Sequence, residues 1–361
     1  MKSPQRCLKC ILPEHLPGIT FDKNGVCNFC NDYEQNWAKM DFNQKKSELD
    51  SMAELASKIS DSYDVLVPLS GGKDSIYVLY YMVKKLGLKS LAIHFDNRVQ
   101  TQIAHSNIKK ATDILDVELL WVRPPEKLMT MLRRKFLLMT GQFCTPCTMG
   151  ADISIQRIAR AFHIPLIVTG VSPIHDGYTF SKNLYQYSSD LFTHVIDKSG
   201  ISRQVKDTIL DAKYNIRSVF DPPENTEKLL ENLKQRITAT VYLPLYVHWN
   251  EDEIIAIIER DLDWRHDPTI GREHTDCKLT PLKFCIKREK TRTRDFAGID
   301  DLQMKLAVKV RTGQIARDDA ISALSKLVDR PIEDYIPLLK EMGLDETKLS
   351  IIKKSLRVKP F

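Results

Sequence analysis

Hydrophobic positions along this chain follow two rhythms. Between 63 and 172, short apolar runs alternate with stretches in which apolar residues recur every three or four positions. The runs 64–69, Ser90–Phe95, Val117–Val122 and Ile164–Thr169 are rich in branched and aromatic residues and predict strands. The stretches near 74–86, 101–115, 126–140 and 150–162 predict helices. Strands that alternate with helices predict an α/β fold with a doubly wound parallel sheet. Ligands of such sheets sit beyond the carboxyl ends of the strands. Those ends supply Ser70, Gly71, Gly72, Asp96, Gly170 and Ser172.

The flanks read differently. Residues 41–62 predict a polar helix, with Phe42, Leu49, Met52, Leu55 and Ile59 at near-helical spacing. Residues 173–240 hold amphipathic segments near 202–216 and 224–237. Val241–Tyr246 predicts a short strand, and a helix follows near 251–260. Residues 298–361 predict a small helical region, from the spacing of Leu302, Leu306 and Val310, then of Ile321, Leu324 and Leu327.

Composition narrows the class. The chain has 361 residues, 43% hydrophobic and 28% charged, which suits a soluble globular protein with two or three domains. No apolar run reaches membrane-spanning length and no signal peptide opens the chain, so a cytoplasmic location is expected. The net charge of +6 suits an anionic ligand but is too mild by itself to argue for nucleic acid. The one basic cluster is Lys283, Lys287, Arg288, Lys290, Arg292 and Arg294. It could meet a nucleotide sugar, an RNA backbone or an acidic partner, or form a solvated face.

The most informative stretch is Val65-Leu66-Val67-Pro68-Leu69-Ser70-Gly71-Gly72-Lys73-Asp74-Ser75. A strand, a glycine turn and a helix N-terminus make an anion-binding device, because first-turn amides lack internal partners and the dipole is positive there. Gly71 and Gly72 let the backbone curl around a phosphate. Ser70 and Ser75 add hydroxyl donors and Lys73 adds positive charge. Asp74 would repel a phosphate directly, so its expected work is helix capping or holding Mg²⁺. Asp96 is placed to accept from a ribose hydroxyl or an adenine amine, or to cap a turn. There is no G-x-x-x-x-G-K-[ST] pattern, so this is not a Walker loop.

The cysteines are grouped. Cys7/Cys10 and Cys27/Cys30 form C-x2-C-x16-C-x2-C, which predicts two knuckles completing a structural zinc site with four thiolate ligands. Cys144 and Cys147 form another pair just before a predicted helix, where thiolate should be favoured. With the distant Cys277 they make three ligands, for an iron–sulfur cluster or a zinc ion, and a local redox pair is the alternative. Cys285 is read as core. The loop after the fourth strand carries His175 and Asp176, which could contact substrate or metal or form a solvated turn.

Ser70–Ser75 resembles the PP-loop of ATP pyrophosphatases, which cleave ATP between the α and β phosphates. The whole chain resembles the N-acetyl sugar amidotransferases of surface-polysaccharide (lipopolysaccharide) biosynthesis within that superfamily. The likeness runs through the Cys7/Cys10 pair, Pro17–Asp22, Asn24–Cys27, Val67–Ser75, Cys144-Thr145-Pro146-Cys147, Ile164–Ile167, Thr275–Lys278 and Arg311–Ile315. At the fourth strand the chain departs from the family, with Gly170-Val171-Ser172-Pro173 in place of a Gly-Glu-Asn type sequence.

The resemblance implies an adenine nucleotide alpha hydrolase-like fold and ATP with Mg²⁺. An acetamido oxygen of a nucleotide-linked sugar would be adenylated, and ammonia from a separate glutaminase would then displace AMP. Ser70, Gly71, Gly72, Lys73, Asp74, Ser75, Asp96 and Gly170 would bind ATP, with Lys73, Asp74 and Ser75 catalytic. Ser172, His175 and Asp176 would face the acceptor. The rival reading is an ATP-dependent sulfurtransferase acting on a small molecule or tRNA, with a [4Fe-4S] cluster on Cys144, Cys147 and Cys277. The expected domains are a zinc-knuckle module at 1–40, a linker helix at 41–62, the PP-loop domain at 63–297 and a helical region at 298–361.

Overall fold

Five parallel strands form one sheet in the order β3-β2-β1-β4-β5 in the computed structural model of this chain. They are β1 Val65–Pro68, β2 Ser90–Phe95, β3 Glu118–Val122, β4 Leu166–Thr169 and β5 Ala239–Tyr242. The structure describes residues 4–172, 189–211, 224–272, 275–299, 301–326 and 330–357. β2 is buried along its whole length and β1 nearly so, as expected of central strands covered on both faces. Val65 pairs with Ser90 on one side and Leu166 on the other, so β1 is the central strand. The strand order turns between β1 and β4. That switch point leaves a crevice where connections diverge to opposite faces.

The expected fifth strand is shifted. Pairing starts at Ala239 rather than Val241 and stops at Tyr242. Leu243–Leu245 then turns into a 3-10 helix at Pro244, which has no amide to continue a ladder.

The helices α1 Asn28–Asn36, α2 Phe42–Ile59, α3 Lys73–Tyr80, α4 Gln102–Leu115, α5 Glu126–Thr140 and α6 Thr145–Ala161 come first in the chain. α2 starts at Asp41, whose carboxylate accepts from the Asn43 and Gln44 amides. Its stripe Leu49, Met52, Ala53 and Ala56 is buried in the same core as β1 and β5. α3 runs into a π-helical turn, Tyr81–Lys85. α6 begins five residues earlier than its apolar spacing predicts. Pro146 suits a first turn, where the missing amide costs nothing.

Later helices include α7 Ser189–Lys198, α8 Thr226–Lys234, α9 Glu251–Leu262, α10 Thr280–Thr291, α11 Asp301–Arg311 and α12 Arg317–Ser325, with shorter ones at Ser202–Val205, Ile336–Lys340 and Leu349–Ser355. α1, α7 and α10 are absent from the sequence-based expectation. α10 holds most of the basic cluster, and the structure corrects its reading. Lys287 is buried and pairs with Asp301, Arg288 donates to the Arg330 carbonyl, and Lys290 donates to that of Thr140. Much of this charge is spent inside the fold and forms neither a solvated face nor a free polyanion surface.

The cysteine module does not stand apart. Ile11, Leu12, Leu16 and Phe29 share a core with Met304, Leu306, Ala307 and Ala320 of α11 and α12. No described helix is long and apolar enough to cross a membrane.

Candidate active site

The loop Ser70–Ser75 lies at the carboxyl end of β1, beside the switch point. Its shape follows from local bonds. The Ser70 amide donates to Ser75 Oγ at 3.1 Å, the Gly72 amide donates to Ser70 Oγ at 3.2 Å, and Ser75 Oγ donates to the Gly72 carbonyl at 3.0 Å. Gly71 has φ +86°, and a Cβ there would lie 2.4 Å from the Ala104 carbonyl oxygen of α4. Only glycine fits a left-handed turn pressed against a helix backbone. The Gly71 carbonyl accepts from Asn107 Nδ2 at 3.1 Å and Trp264 Nε1 at 3.0 Å. The loop is therefore clamped from outside, while the first amides of α3 have no intrahelical acceptor.

Lys73 and Asp74 point differently. Lys73 is 3% exposed, with Nζ 2.9 Å from Asp74 and 3.2 Å from Glu251 of α9. Glu251 also pairs with Lys309 of α11 at 2.7 Å. Asp74 is partly exposed and faces a cavity of about 440 Å³. That size lies in the range of small-ligand sites, roughly 300–1,000 Å³. The cavity opens between the ends of β1, β2 and β4 and one face of α6. Ser70, Ser75, Thr169, Gly170 and Asp276 line it. At Gly170 a Cβ would come within 2.9 Å of the Asp74 side chain, so β4 must end in glycine for Asp74 to pass.

A buried polar chain supports the loop. His94 is fully buried, with Nδ1 2.7 Å from the Leu69 carbonyl and Nε2 2.7 Å from Gln100 Oε1. Gln100 Nε2 reaches the Ser70 carbonyl at 3.4 Å. Burial pushes His94 below the usual histidine range, against the opposing pull of the Leu69 carbonyl and Gln100.

Asp96 lies at the end of β2 as expected, but its carboxylate is occupied. It is 2% exposed and accepts from the Arg98 amide at 2.8 Å, Trp121 Nε1 at 3.4 Å and Arg123 Nε at 2.7 Å. Burial would raise its pKa, and these donors outweigh burial and hold it below the usual carboxylate range. Ser172 is fully buried. His175 and Asp176 lie outside the described residues.

The structure brings Cys277 to the Cys144/Cys147 pair. Thr101 Oγ1 donates to the Thr275 carbonyl at 2.7 Å, and the Lys278 amide to that of Val99 at 2.9 Å, pinning segment 275–278 beside the loop after β2. Cys144 and Cys277 share one apolar cluster, and Cys147 lines the cavity. Burial pushes Cys277 up, with Asp276, Cys144 and Cys147 adding to the shift. Cys147 is also raised by burial, against the pull of Arg133. Desolvation here works against the thiolate that a helix N-terminus would favour.

The four N-terminal cysteines are fully buried, and their sulfurs lie within 4.8 Å of one another. Cys7 and Cys30 are 3.9 Å apart, Cys10 and Cys27 3.8 Å. A tetrahedral ion with bonds of about 2.3 Å sets sulfur–sulfur edges of roughly 3.8 Å, so the donor set fits one four-coordinate metal ion. The amides of Cys10 and Cys27 donate to the Cys7 sulfur. Arg317 donates to the Cys10 and Cys7 carbonyls at 3.1 and 3.3 Å, and Arg311 bonds Cys30 while its Nε and Nη2 lack partners among the described residues. A buried guanidinium facing four thiols matches the surplus negative charge of a metal tetrathiolate. Among the described residues this is the one group of three or more candidate ligands so closely spaced.

One feature of the cavity carried no sequence signal. Asp152 on α6 lines it, and its Oδ2 is buried without a hydrogen-bond partner among the described residues.

No family model and no curated protein matches the chain. Among solved structures, it is similar to an NMN synthetase from Francisella tularensis, at 12% identity over 62% of this chain and 88% of that one, TM-score 0.30. It is also similar to a U34-tRNA thiolase, NcsA, from Methanococcus maripaludis with its [4Fe-4S] cluster, at 13% identity over 91% and 90%, TM-score 0.35. Likenesses this distant say nothing of the reaction.

Proposed function

We propose that the chain is an adenylating ATP pyrophosphatase acting as an amidotransferase on a nucleotide-linked N-acetyl sugar. The observation that carries the reading is the clamped loop Ser70–Ser75 at the switch point, opening onto a cavity of ligand size. The Ser70 and Ser75 hydroxyls and the first amides of α3 hold the β and γ phosphates. Lys73 supplies counter-charge when it leaves Asp74 for the triphosphate. Gly170 gives the α-phosphate room beside Asp74.

The acetamido oxygen attacks the α-phosphorus and the bond to the bridging oxygen breaks, releasing pyrophosphate. Ammonia then adds to the activated carbon. AMP departs with the former acetamido oxygen, and loss of a proton leaves an amidine. The protein's contribution is position and charge. Asp74, with Asp276 on the same cavity, would hold Mg²⁺, which screens the triphosphate when bound. Cys7, Cys10, Cys27 and Cys30 would hold structural zinc. The ammonia source is a separate glutaminase.

A second reading, ATP-dependent thiolation of a small molecule or tRNA, is favoured by one observation. Cys144, Cys147 and Cys277 converge beside the cavity, and three thiols are the ligand count of a cluster with one open position. Product mass analysis with ATP and nucleotide-linked N-acetyl sugars, in ammonia or in sulfide, separates the two. Oxygen replaced by NH supports amidation, and oxygen replaced by sulfur supports thiolation. Lys73→Ala should abolish pyrophosphate release in either case, and full turnover in that variant would end both readings.

A further inference from the structure

Asp152 lies in the interior of α6 on a stripe that faces the cavity: Cys147, Thr148, Ala151, Asp152 and Ile155. Much of the remaining lining is apolar, from Leu69, Ile93, Phe95 and Val171. A Cβ at Gly150 would sit 2.4 Å from the Phe95 ring, so this turn of α6 packs directly on the end of β2. An acid there has no local reason to exist. Its Oδ2 is buried and, among the described residues, unpartnered, a state that costs free energy until a ligand supplies the missing bond.

Which ligand edge fits depends on whether the acid is ionised. A carboxylate has acceptors only, whereas a protonated acid has one donor and one acceptor side by side. Burial alone pushes the Asp152 carboxyl up to about 7. The other titratable groups of the cavity are Asp74, Cys147 and Asp276. Arg133 of α5 is engaged with Cys147 and the Asn97 carbonyl, and Asp190 and His194 of α7 are solvent-exposed. Among the described residues, no cation therefore faces Asp152 to hold it ionised. Its neutral form matches an edge with an amine donor beside a ring-nitrogen acceptor. Adenine has that edge.

We propose that Asp152, through the buried carboxyl oxygen left unpartnered on the cavity wall, reads the base of the bound nucleotide, accepting from the adenine amine and donating to the adjacent ring nitrogen. This deepens the ATP reading above and rests on it. It makes Asp152 a base-binding residue of the cavity that the phosphate loop also lines.

The test is calorimetric titration of ATP and inorganic tripolyphosphate into the full chain, as wild type, Asp152→Asn and Asp152→Leu, at pH 6.5 and 8.5. Asparagine carries the same donor–acceptor pair and does not titrate. Asp152→Asn should therefore match wild type for ATP at pH 6.5 and bind more tightly than wild type at pH 8.5. Asp152→Leu should lose roughly ten- to a hundredfold in ATP affinity, the worth of a bidentate base contact. Its tripolyphosphate affinity should be unchanged, which confines the loss to the nucleoside. If wild type binds ATP and Asp152→Leu binds it equally well, this proposal fails while the nucleotide reading stands. A constant wild-type-to-Asn ratio across pH also overturns it. A wild-type protein that binds neither ATP nor tripolyphosphate overturns both.

Discussion

Replacing Gly71 with alanine tests the frame on which the site is built. Gly71 has φ +86°, and the new Cβ would meet the Ala104 carbonyl oxygen at 2.4 Å and the Ala104 carbonyl carbon and Cα at 2.8 Å. The left-handed conformation costs a non-glycine residue about 1–2 kcal/mol. The overlap is with helix backbone, which cannot swing aside as a side chain would, and forcing a carbon into such packing adds about 1–3 kcal/mol. Gly87 provides the control. Its φ is +66° and nothing lies within 4 Å of a Cβ built there, so Gly87→Ala incurs only the conformational cost. The difference between the two variants isolates the steric part, about 1–3 kcal/mol. Urea titrations with matched slopes measure it, and ATP titration reads the consequence. Gly71→Ala should lose nucleotide affinity because the loop must move off α4, and Gly87→Ala should keep it. Equal midpoints and equal affinities would mean that the loop is not braced by α4, and the account of the site would be wrong.

Three further outcomes are expected. Cys27→Ser should lose about one equivalent of bound metal, and α11 and α12 should become sensitive to protease; an unchanged digest would sever the link between the cysteine module and those helices. Burial lowers the His94 pKa in the fold, so its contribution is present above the ordinary value of 6.5 and is lost as pH falls. His94→Gln should flatten the acid side of a thermal-midpoint profile, and an unaltered slope would refute this. Asp152 has the opposite sign. Its raised folded pKa, about 7, means that stability is fully present below the ordinary value of 3.8 and is lost as pH rises through 7. Asp152→Asn should gain on wild type between those limits, up to a ceiling of about 4 kcal/mol. A gain of the same size at pH 5 and pH 8 would contradict the assignment.

The features legible in the sequence were those whose cause is local. The strand runs around Val65 and Ser90 are continuous because both faces are covered, and the loop Ser70–Ser75 is shaped by bonds within six residues. The four N-terminal cysteines were legible because a small ion needs close, regular spacing. What stayed hidden depends on partners distant in the chain. Asp152 in a helix reads as an ordinary solvated acid until β2 is packed across it. Lys73 reads as a free cation until Glu251 is brought against it. The basic run in α10 reads as a charged surface until Asp301 and the Arg330 and Thr140 carbonyls absorb it. α1 was missed because its residues follow the second knuckle, and only Phe29 and Cys30 are buried.

The shared core of the cysteine module and α11–α12 bears on the order of assembly. During synthesis the four thiols emerge early, while the apolar wall meant to cover Ile11, Leu12 and Leu16 is some 300 residues from being made. Metal capture on the ribosome would have to be managed by bare knuckles. The guanidiniums of Arg311 and Arg317 arrive only afterwards to seal the pocket. A nascent chain stalled before residue 300 should therefore exchange its ion freely, and release of the finished protein should lock it in.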